Sequence, residues 1–391
     1  MPFDTTHARL SCFYFFYFAL LGLIIPYFSL YLSEIGYSAA LIGILAGSLH
    51  ATRVVAPSLW GWIADRTGKR VQIIQLGSVT TCITFGGIFI QDSFTGLLFV
   101  IITFSFFWNA VMPQFEVVTL RHLGQKKERY SQIRVWGSIG FILFVVAFGW
   151  VFDLIPVIYL PHIMRATLGF MVISAYLIPP PPASTSRLAK GEAGKLFLKQ
   201  LRRPQVIIFF IVHFLVQMAH GAYYTFFSVL MEELGYTRTE IGGLWMVGVI
   251  AEIILFIFMH RLIKNFGYRL IMLVSLGLCV IRWSALAWMP ENVLIMVIVQ
   301  LFHAATFGCM HAVAIALVDQ YFSEETHGQG QAFLSGVGFG AGGATGAFIS
   351  GFVWSQWGGE GTFMMAAVVS LAAILLTYIW VRPEKAQQNT L

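Results

Sequence analysis

The sequence predicts an all-α integral membrane protein with twelve transmembrane helices in two pseudo-symmetric six-helix bundles. Three observations carry this. Hydrophobic residues make up 58% of the 391 positions and charged residues only 11%, against roughly 25% charged in soluble domains; the mean hydropathy is +0.78. The charges fall in short patches separated by apolar stretches of about 20 residues, the length that crosses ~30 Å of hydrocarbon. Finally, the halves repeat. Glu34-Ile35-Gly36-Tyr37, with Ile42-Gly43, returns as Glu233-Leu234-Gly235-Tyr236, with Ile241-Gly242, at a shift of 199. The same shift carries Gly68 onto Gly267, Arg70 onto Arg269 and Gly137 onto Gly336.

Span 1 (10–32) is too long for the apolar core of a secretory signal and lacks a small-residue cleavage site. Span 2 (39–64) ends in the charged turn Asp65-Arg66-Thr67-Gly68-Lys69-Arg70, where Gly68 permits a tight reversal into span 3 (71–90). Spans 4 (94–120) and 5 (130–152) flank the basic patch Arg121 to Arg129, and each holds one ion within its apolar part. Span 6 (157–178) stops at Pro179-Pro180-Pro181-Pro182, which cannot continue a helix. The polar, basic stretch 179–203 reads as a solvated cytoplasmic linker between an N-terminal bundle (1–178) and a C-terminal bundle (204–391). Spans 7 to 10 lie at 204–231, 239–260, 269–289 and 292–318. Span 11 (329–354) carries Gly338, Gly342 and Gly346, a smooth face for close helix approach, either as static packing or as a sliding surface. Span 12 (361–381) precedes a basic tail.

Of the 24 lysines and arginines, 19 fall at Arg9, in the 66–70, 121–129, 187–203 and 261–269 loops and in the 382–385 tail. The positive-inside rule then puts both termini in the cytoplasm. The 36 phenylalanines and 11 tryptophans suit a lipid-facing exterior with interfacial belts. Basic loops against anionic lipid explain the pI near 9.1 without nucleic acid. The cysteines (Cys12, Cys82, Cys279, Cys309) sit in apolar segments without metal-type spacing and read as inert packing. Gly338 to Gly346 lacks the lysine of a phosphate loop. No nucleophile, base and orienter set is visible, so the sequence leads us to expect no catalytic residues, metal or cofactor.

A lone ion in hydrocarbon costs from about 2.5 to over 10 kcal/mol, so such residues pair or face water. Glu116 and Arg134 lie on helices joined by a short turn, which can bring them to similar depth. With Arg53, which shares a helix face with His50 three residues away, they form the expected substrate site, and Trp136 and Tyr224 are the expected aromatic contacts. Packing or lipid contact is the alternative for those rings. In spans 7 to 10, Glu252 is the only carboxylate far from an end. Approach and withdrawal of Arg282 is a way to load and release its proton, with His303 and His311 assisting. The alternatives are a permanent Glu252–Arg282 ion pair and neutral, packed histidines.

The turn Gly61-Trp62-Ile63-Ala64-Asp65-Arg66-Thr67-Gly68-Lys69-Arg70 resembles the signature between helices 2 and 3 of the major facilitator superfamily, with a degraded duplicate at Arg261 to Arg269 where Lys264 replaces the acid. The resemblance assigns Gly61, Asp65, Arg66, Gly68 and Arg70 to gating, with Asp65 pairing across the halves; topology-setting charge is the alternative. Within the superfamily, Glu116 and Arg134, followed by Trp136-Gly137, resemble the acid and arginine that bind sugar in lactose permease-like proton symporters. Glu252, Arg282 and His303 resemble their proton-coupling cluster, but Thr306 stands where that cluster has an acid. Gly221-Ala222-Tyr223-Tyr224, Val249-Ile250-Ala251-Glu252, Arg282-Trp283, Gln300-Leu301-Phe302-His303 and Thr306-Phe307 follow the 3-phenylpropionate transporters, as does Arg53. The resemblance implies a monomer in a bacterial inner membrane that takes up a small organic solute with a proton, an aromatic acid such as 3-phenylpropionate, driven by the proton gradient without a cofactor. A sugar or nucleoside symporter, a proton-antiport efflux pump and a membrane sensor or scaffold are the alternatives.

Overall fold

A computed structural model describes residues 5–126, 129–182 and 192–381. The basic tail at 382–385 and the linker residues 183–191 lie outside the described residues. Every regular element described is helical: α1 (Thr5–Glu34), α2 (Ala39–Ala51), α3 (Ala56–Thr67), α4 (Arg70–Phe85), α5 (Phe94–Leu123), α6 (Tyr130–Leu154), α7 (Leu160–Tyr176), α8 (Glu192–Leu201), α9 (Pro204–Glu233), α10 (Arg238–Trp288), α11 (Val293–Leu301), α12 (Met310–Tyr321), α13 (His327–Leu334) and α14 (Gly343–Trp380). Ten stretches among the described residues are long and apolar enough to span a membrane. Two of them, Arg238–Trp288 (51 residues) and His327–Trp380 (54 residues), each contain a non-helical glycine, Gly267 (φ 70°) and Gly358 (φ 60°). Each is long enough for two crossings, which gives room for the twelve expected.

The chain divides into two compact units, one of Met1–Ser186 with Phe227–Trp245, the other of Arg187–Phe226 with Met246–Leu391. In the first, α1 packs on α6 and α7, and α5 packs on α3 and α4. Glycines set the α1–α6 approach: a Cβ on Gly140 would come 2.3 Å from the Phe15 carbonyl oxygen, and one on Gly22 would come 2.7 Å from that of Phe141. In the second unit, α9 approaches span 11 in the same way. A Cβ on Gly346 would lie 2.0 Å from the Met218 carbonyl oxygen, and one on Gly342 would lie 2.6 Å from that of Phe214.

The repeat extends to the backbone. Tyr37 N donates to Leu32 O (3.1 Å) and Gly36 N to Ser33 O (3.0 Å); 199 residues on, Tyr236 N donates to Met231 O (3.0 Å) and Gly235 N to Glu232 O (3.0 Å). These are paired Schellman closures, and both glycines take the left-handed backbone they require, φ 89° and 85°. Gly68 and Gly267 match likewise, at φ 71° and 70°.

Two elements depart from the expectations. Span 2 is broken: α2 ends at Ala51, Thr52–Val54 tightens into a 3₁₀ turn, and α3 restarts with proline in its first turn. Pro57 has no N–H to offer the Arg53 carbonyl four residues back, so the α-helical ladder lapses there. Residues 192–201, expected to be solvated, form the amphipathic helix α8, whose Phe197 packs on Phe322 and Phe333 and whose Gln200 accepts from Thr326 Oγ1 at 2.6 Å.

Candidate functional site

In the first unit the break in span 2 positions Arg53. Asn109 Nδ2 on α5 donates to Leu49 O (3.0 Å) and Thr52 Oγ1 (2.9 Å), and Thr52 Oγ1 donates to Ser105 Oγ (3.0 Å). The turn is thereby pinned to the helix that carries Glu116. The charges of Arg134 and Arg53 both act on the Glu116 carboxylate, and all three act on Tyr17. Tyr130 Oη donates to Glu116 Oε1 at 3.5 Å, and Tyr14 Oη donates to Tyr130 Oη at 3.3 Å. The Arg134 guanidinium carbon lies over Phe18, 3.9 Å from the ring centre, and 5.6 Å from that of Tyr14. Gly137, one turn on, leaves the room: a Cβ there would come 2.8 Å from both Phe18 and Arg134. A guanidinium packed on a ring is suited to pair with a carboxylate through its N–H fork. Tyr17 in turn stacks on Trp108 (5.2 Å, 21°).

Trp136 sits elsewhere. Two residues from Arg134 it points about 200° around α6, is 37% exposed, and lines a shallow groove with Ala8, Ser11, Cys12 and Phe15. Trp108, stacked on Tyr17, is the indole that the geometry links to these ions. The expectation missed it, along with Tyr14, Tyr17, Phe18 and Tyr130. The aromatic run Phe13 to Phe18 was the available signal.

In the second unit Arg282 is fully buried. Nη1 donates to Thr306 Oγ1 (3.0 Å) and meets His303 Nδ1 (3.2 Å), while Nη2 donates to Gln300 Oε1 (3.3 Å). The Tyr223 and Trp283 rings lie 4.3 and 4.6 Å from Cζ, and Tyr223 Oη donates to Gln300 Oε1 at 2.7 Å. Thr306, standing in for the family's acid, gives Arg282 a neutral acceptor. The other side of His303 faces Glu252, with Nε2 3.6 Å from Oε2. The imidazole therefore bridges the two ions through opposite nitrogens. Since a guanidinium only donates, His303 Nδ1 must accept, and its ring proton sits on Nε2, toward Glu252.

Local backbone aims these groups. Ala304–Cys309 and Ser335–Gly342 are π-helical, a widening frequent at functional sites. His303, Phe307 and His311 stack at 5.2 and 5.9 Å with ring planes within 5° and 3°. Phe339 lies beside both His311 (5.6 Å) and His213 (5.4 Å). Gly338 makes room for His213, whose Cδ2 would lie 2.2 Å from a Cβ there. Tyr224 joins this cluster, 6.5 Å from His303 and 6.4 Å from Phe307. Gln300, Thr306 and Tyr223 were legible only as motif letters, not as partners of Arg282.

The helix 2–3 turn is closed on itself. Gly68 caps α3 in the left-handed region, Asp65 pairs with Arg70 within the turn, and Arg70 also donates to Gln114 of α5, the side chain that Gly61 faces. Arg66 stacks on Trp62 at 4.1 Å. Among the described residues no group of three or more His, Cys, Asp or Glu is placed to hold a metal ion.

A family profile described as "MFS_1 like family" matches residues 7–365. The chain is 28% identical over 377 residues to the probable 3-phenylpropionic acid transporter of Escherichia coli (strain K12), spanning 93% of this chain and 95% of that one. It is 28% identical over 390 residues to the maltose permease of Geobacillus stearothermophilus, spanning 95% and 94%. Among solved structures, a variant of the nucleoside transporter NupG superposes with a TM-score of 0.86 at 17% identity, covering 96% of this chain and all of that one. The chain belongs to the MFS_1-like family of the major facilitator superfamily and is a multi-pass membrane transporter of a small molecule.

Proposed function

We propose that this transporter takes up a small organic anion with a proton, an aromatic acid of the 3-phenylpropionate kind, across a bacterial inner membrane, working as a monomer with both termini cytoplasmic. One observation carries the reading: a single imidazole joins a buried guanidinium to the Glu252 carboxylate. A proton taken by Glu252 removes the charge that holds the Nε2–H. Withdrawal of Arg282 opens Nδ1, giving a second proton position on the same ring. Arg134, 3.9 Å over the Phe18 ring, offers its N–H fork to a substrate carboxylate, in the set with Glu116, Arg53 and Tyr17. The likeness to a protein named as a probable 3-phenylpropionic acid transporter supports an aromatic acid.

A sugar or nucleoside is the second reading, favoured by the likeness to a maltose permease and to NupG; Glu116 and Arg134 would then hydrogen-bond hydroxyls. Proteoliposomes under an imposed inward proton gradient test the reading. We expect 3-phenylpropionate to accumulate and maltose and uridine not to. Accumulation indifferent to the gradient rejects proton coupling. Glu252→Gln should retain solute exchange and lose uphill accumulation; full accumulation by that variant removes Glu252 from the coupling step.

A further inference from the structure

The second unit carries a groove outside the ion cluster. It has a volume of about 510 Å³ and is walled by Ile207, Phe210, Ile211 and Phe214 of α9 with Phe333 and Val337, and Arg202 lines it at one end. Its walls are apolar and open, with Ile207 44% and Ile211 40% exposed. From Pro204 to Phe214 the helix rises about 15 Å, half of the ~30 Å hydrocarbon layer. The groove therefore runs from the level of the basic linker to mid-bilayer, the length of one leaflet's chains.

Two independent observations say what belongs there. The first is charge. Helix α8 packs a partly buried Phe197 and a buried Gln200 inward and leaves Lys195, Leu198 and Lys199 exposed, and the exposed Arg202 follows at helical spacing. Cations at helical spacing around an exposed leucine, at the open end of an apolar groove, match an anionic headgroup above an acyl chain. The second is the repeat. The smaller groove of the first unit is lined by Ala8, Ser11, Cys12 and Phe15, which the 199-residue shift carries onto Ile207, Phe210, Ile211 and Phe214. Both halves thus leave the same seam open on α1 and α9. The first unit narrows it to about 250 Å³ with Trp136 in its wall. In the second unit the seam is wide and has an arginine at its mouth.

We propose that the α8–α9 groove is a binding site for one anionic phospholipid, with an acyl chain along Ile207, Ile211 and Phe214 and the headgroup phosphate on Arg202 and Lys199. The test uses the full chain in nanodiscs of equimolar dioleoyl phosphatidylglycerol and phosphatidylcholine, followed by native mass spectrometry of retained lipid. The wild type should retain one phosphatidylglycerol in preference to phosphatidylcholine. Arg202→Gln should lower its retention about fivefold, the effect of one surface cation on an anionic lipid, and Arg202→Lys should restore it. Ile211→Trp, which fills the groove, should lose the lipid while the protein stays monodisperse and its 3-phenylpropionate thermal shift is unchanged. Equal retention by wild type, Arg202→Gln and Ile211→Trp overturns the proposal. So does loss in Arg202→Gln without loss in Ile211→Trp, which would mean a basic surface with no chain site. Displacement of the lipid by glycerol phosphate would leave only an anion site, and a dimer dissolved by Ile211→Trp would give the groove to a second copy; either result overturns it too.

Discussion

Arg282 shows how a cation is kept inside this chain without a carboxylate beside it in every direction. Its two Nη groups meet Thr306 and Gln300 oxygens and a histidine nitrogen, and the Tyr223 and Trp283 rings lie 4.3 and 4.6 Å from Cζ. Removing a single acceptor strands a buried donor. Thr306→Val should therefore cost about 1–3 kcal/mol, read as a lower melting temperature of the purified protein; an unchanged midpoint would mean that the Thr306 bond contributes nothing. Arg134 works differently, with a cation–π contact to Phe18 and its charge acting on the Glu116 carboxylate. Arg134→Lys keeps the charge but not the fork, so 3-phenylpropionate should bind about tenfold more weakly, the equivalent of about 1.4 kcal/mol, while the fold survives. Binding of equal strength would make Arg134 a point charge only. Trp108→Phe should abolish ligand quenching of tryptophan fluorescence and Trp136→Phe should not, because Trp108 stacks on Tyr17, on which the ions act, while Trp136 lines a separate groove.

Helix ends and helix crossings carry the next level. Asp153, at the end of α6, accepts from the backbone N–H groups of Arg238 (2.8 Å) and Thr239 (3.0 Å), so a carboxylate from one helix caps the start of another. Thr237 and Glu240 complete a capping box there, and Arg238 pairs with Glu232 (2.8 Å) and Glu34 (3.3 Å). Asp153→Ala should lower stability by about 1–2 kcal/mol, the size of a lost cap, and Asp153→Asn by less; equal losses would reduce the residue to packing. The paired closures predict a symmetry. Gly36→Ala and Gly235→Ala each force an L side chain into the left-handed region with nothing within 4 Å of the new Cβ. Each should then cost the same, about 1–2 kcal/mol, in thermal denaturation.

Across the whole molecule, the two units repeat their glycine-gated crossings, α1 with α6 and α9 with span 11, and their reversed turns. They spend the repeat on different chemistry. One holds a partly buried acid and arginine among aromatic rings, and the other a fully buried arginine, a histidine and an acid beside π-helical turns. The proposed proton-driven accumulation is tested at this scale, since that reading uses both sets. Arg134→Lys should weaken solute binding and Glu252→Gln should weaken only the link to the gradient.

Residue order alone determined the class of the protein, its spans, the basic loops, the repeat and which ions lie in apolar segments. These follow from the transfer of each side chain into lipid and from a fixed shift along the chain, and neither depends on a neighbouring helix. Even the acidic and basic pairs were legible as types, because an ion at mid-span is conspicuous whatever surrounds it. Tertiary structure decided the partners. It set His303 against both Arg282 and Glu252, gave Thr306 the acid's place, turned Trp136 away from Arg134, broke span 2 at Arg53 and folded residues 192–201 into α8. Those outcomes depend on how far each helix is rotated and how closely two backbones approach. Rotation and approach are fixed jointly by glycines, prolines and π-helical turns on helices far apart in the sequence.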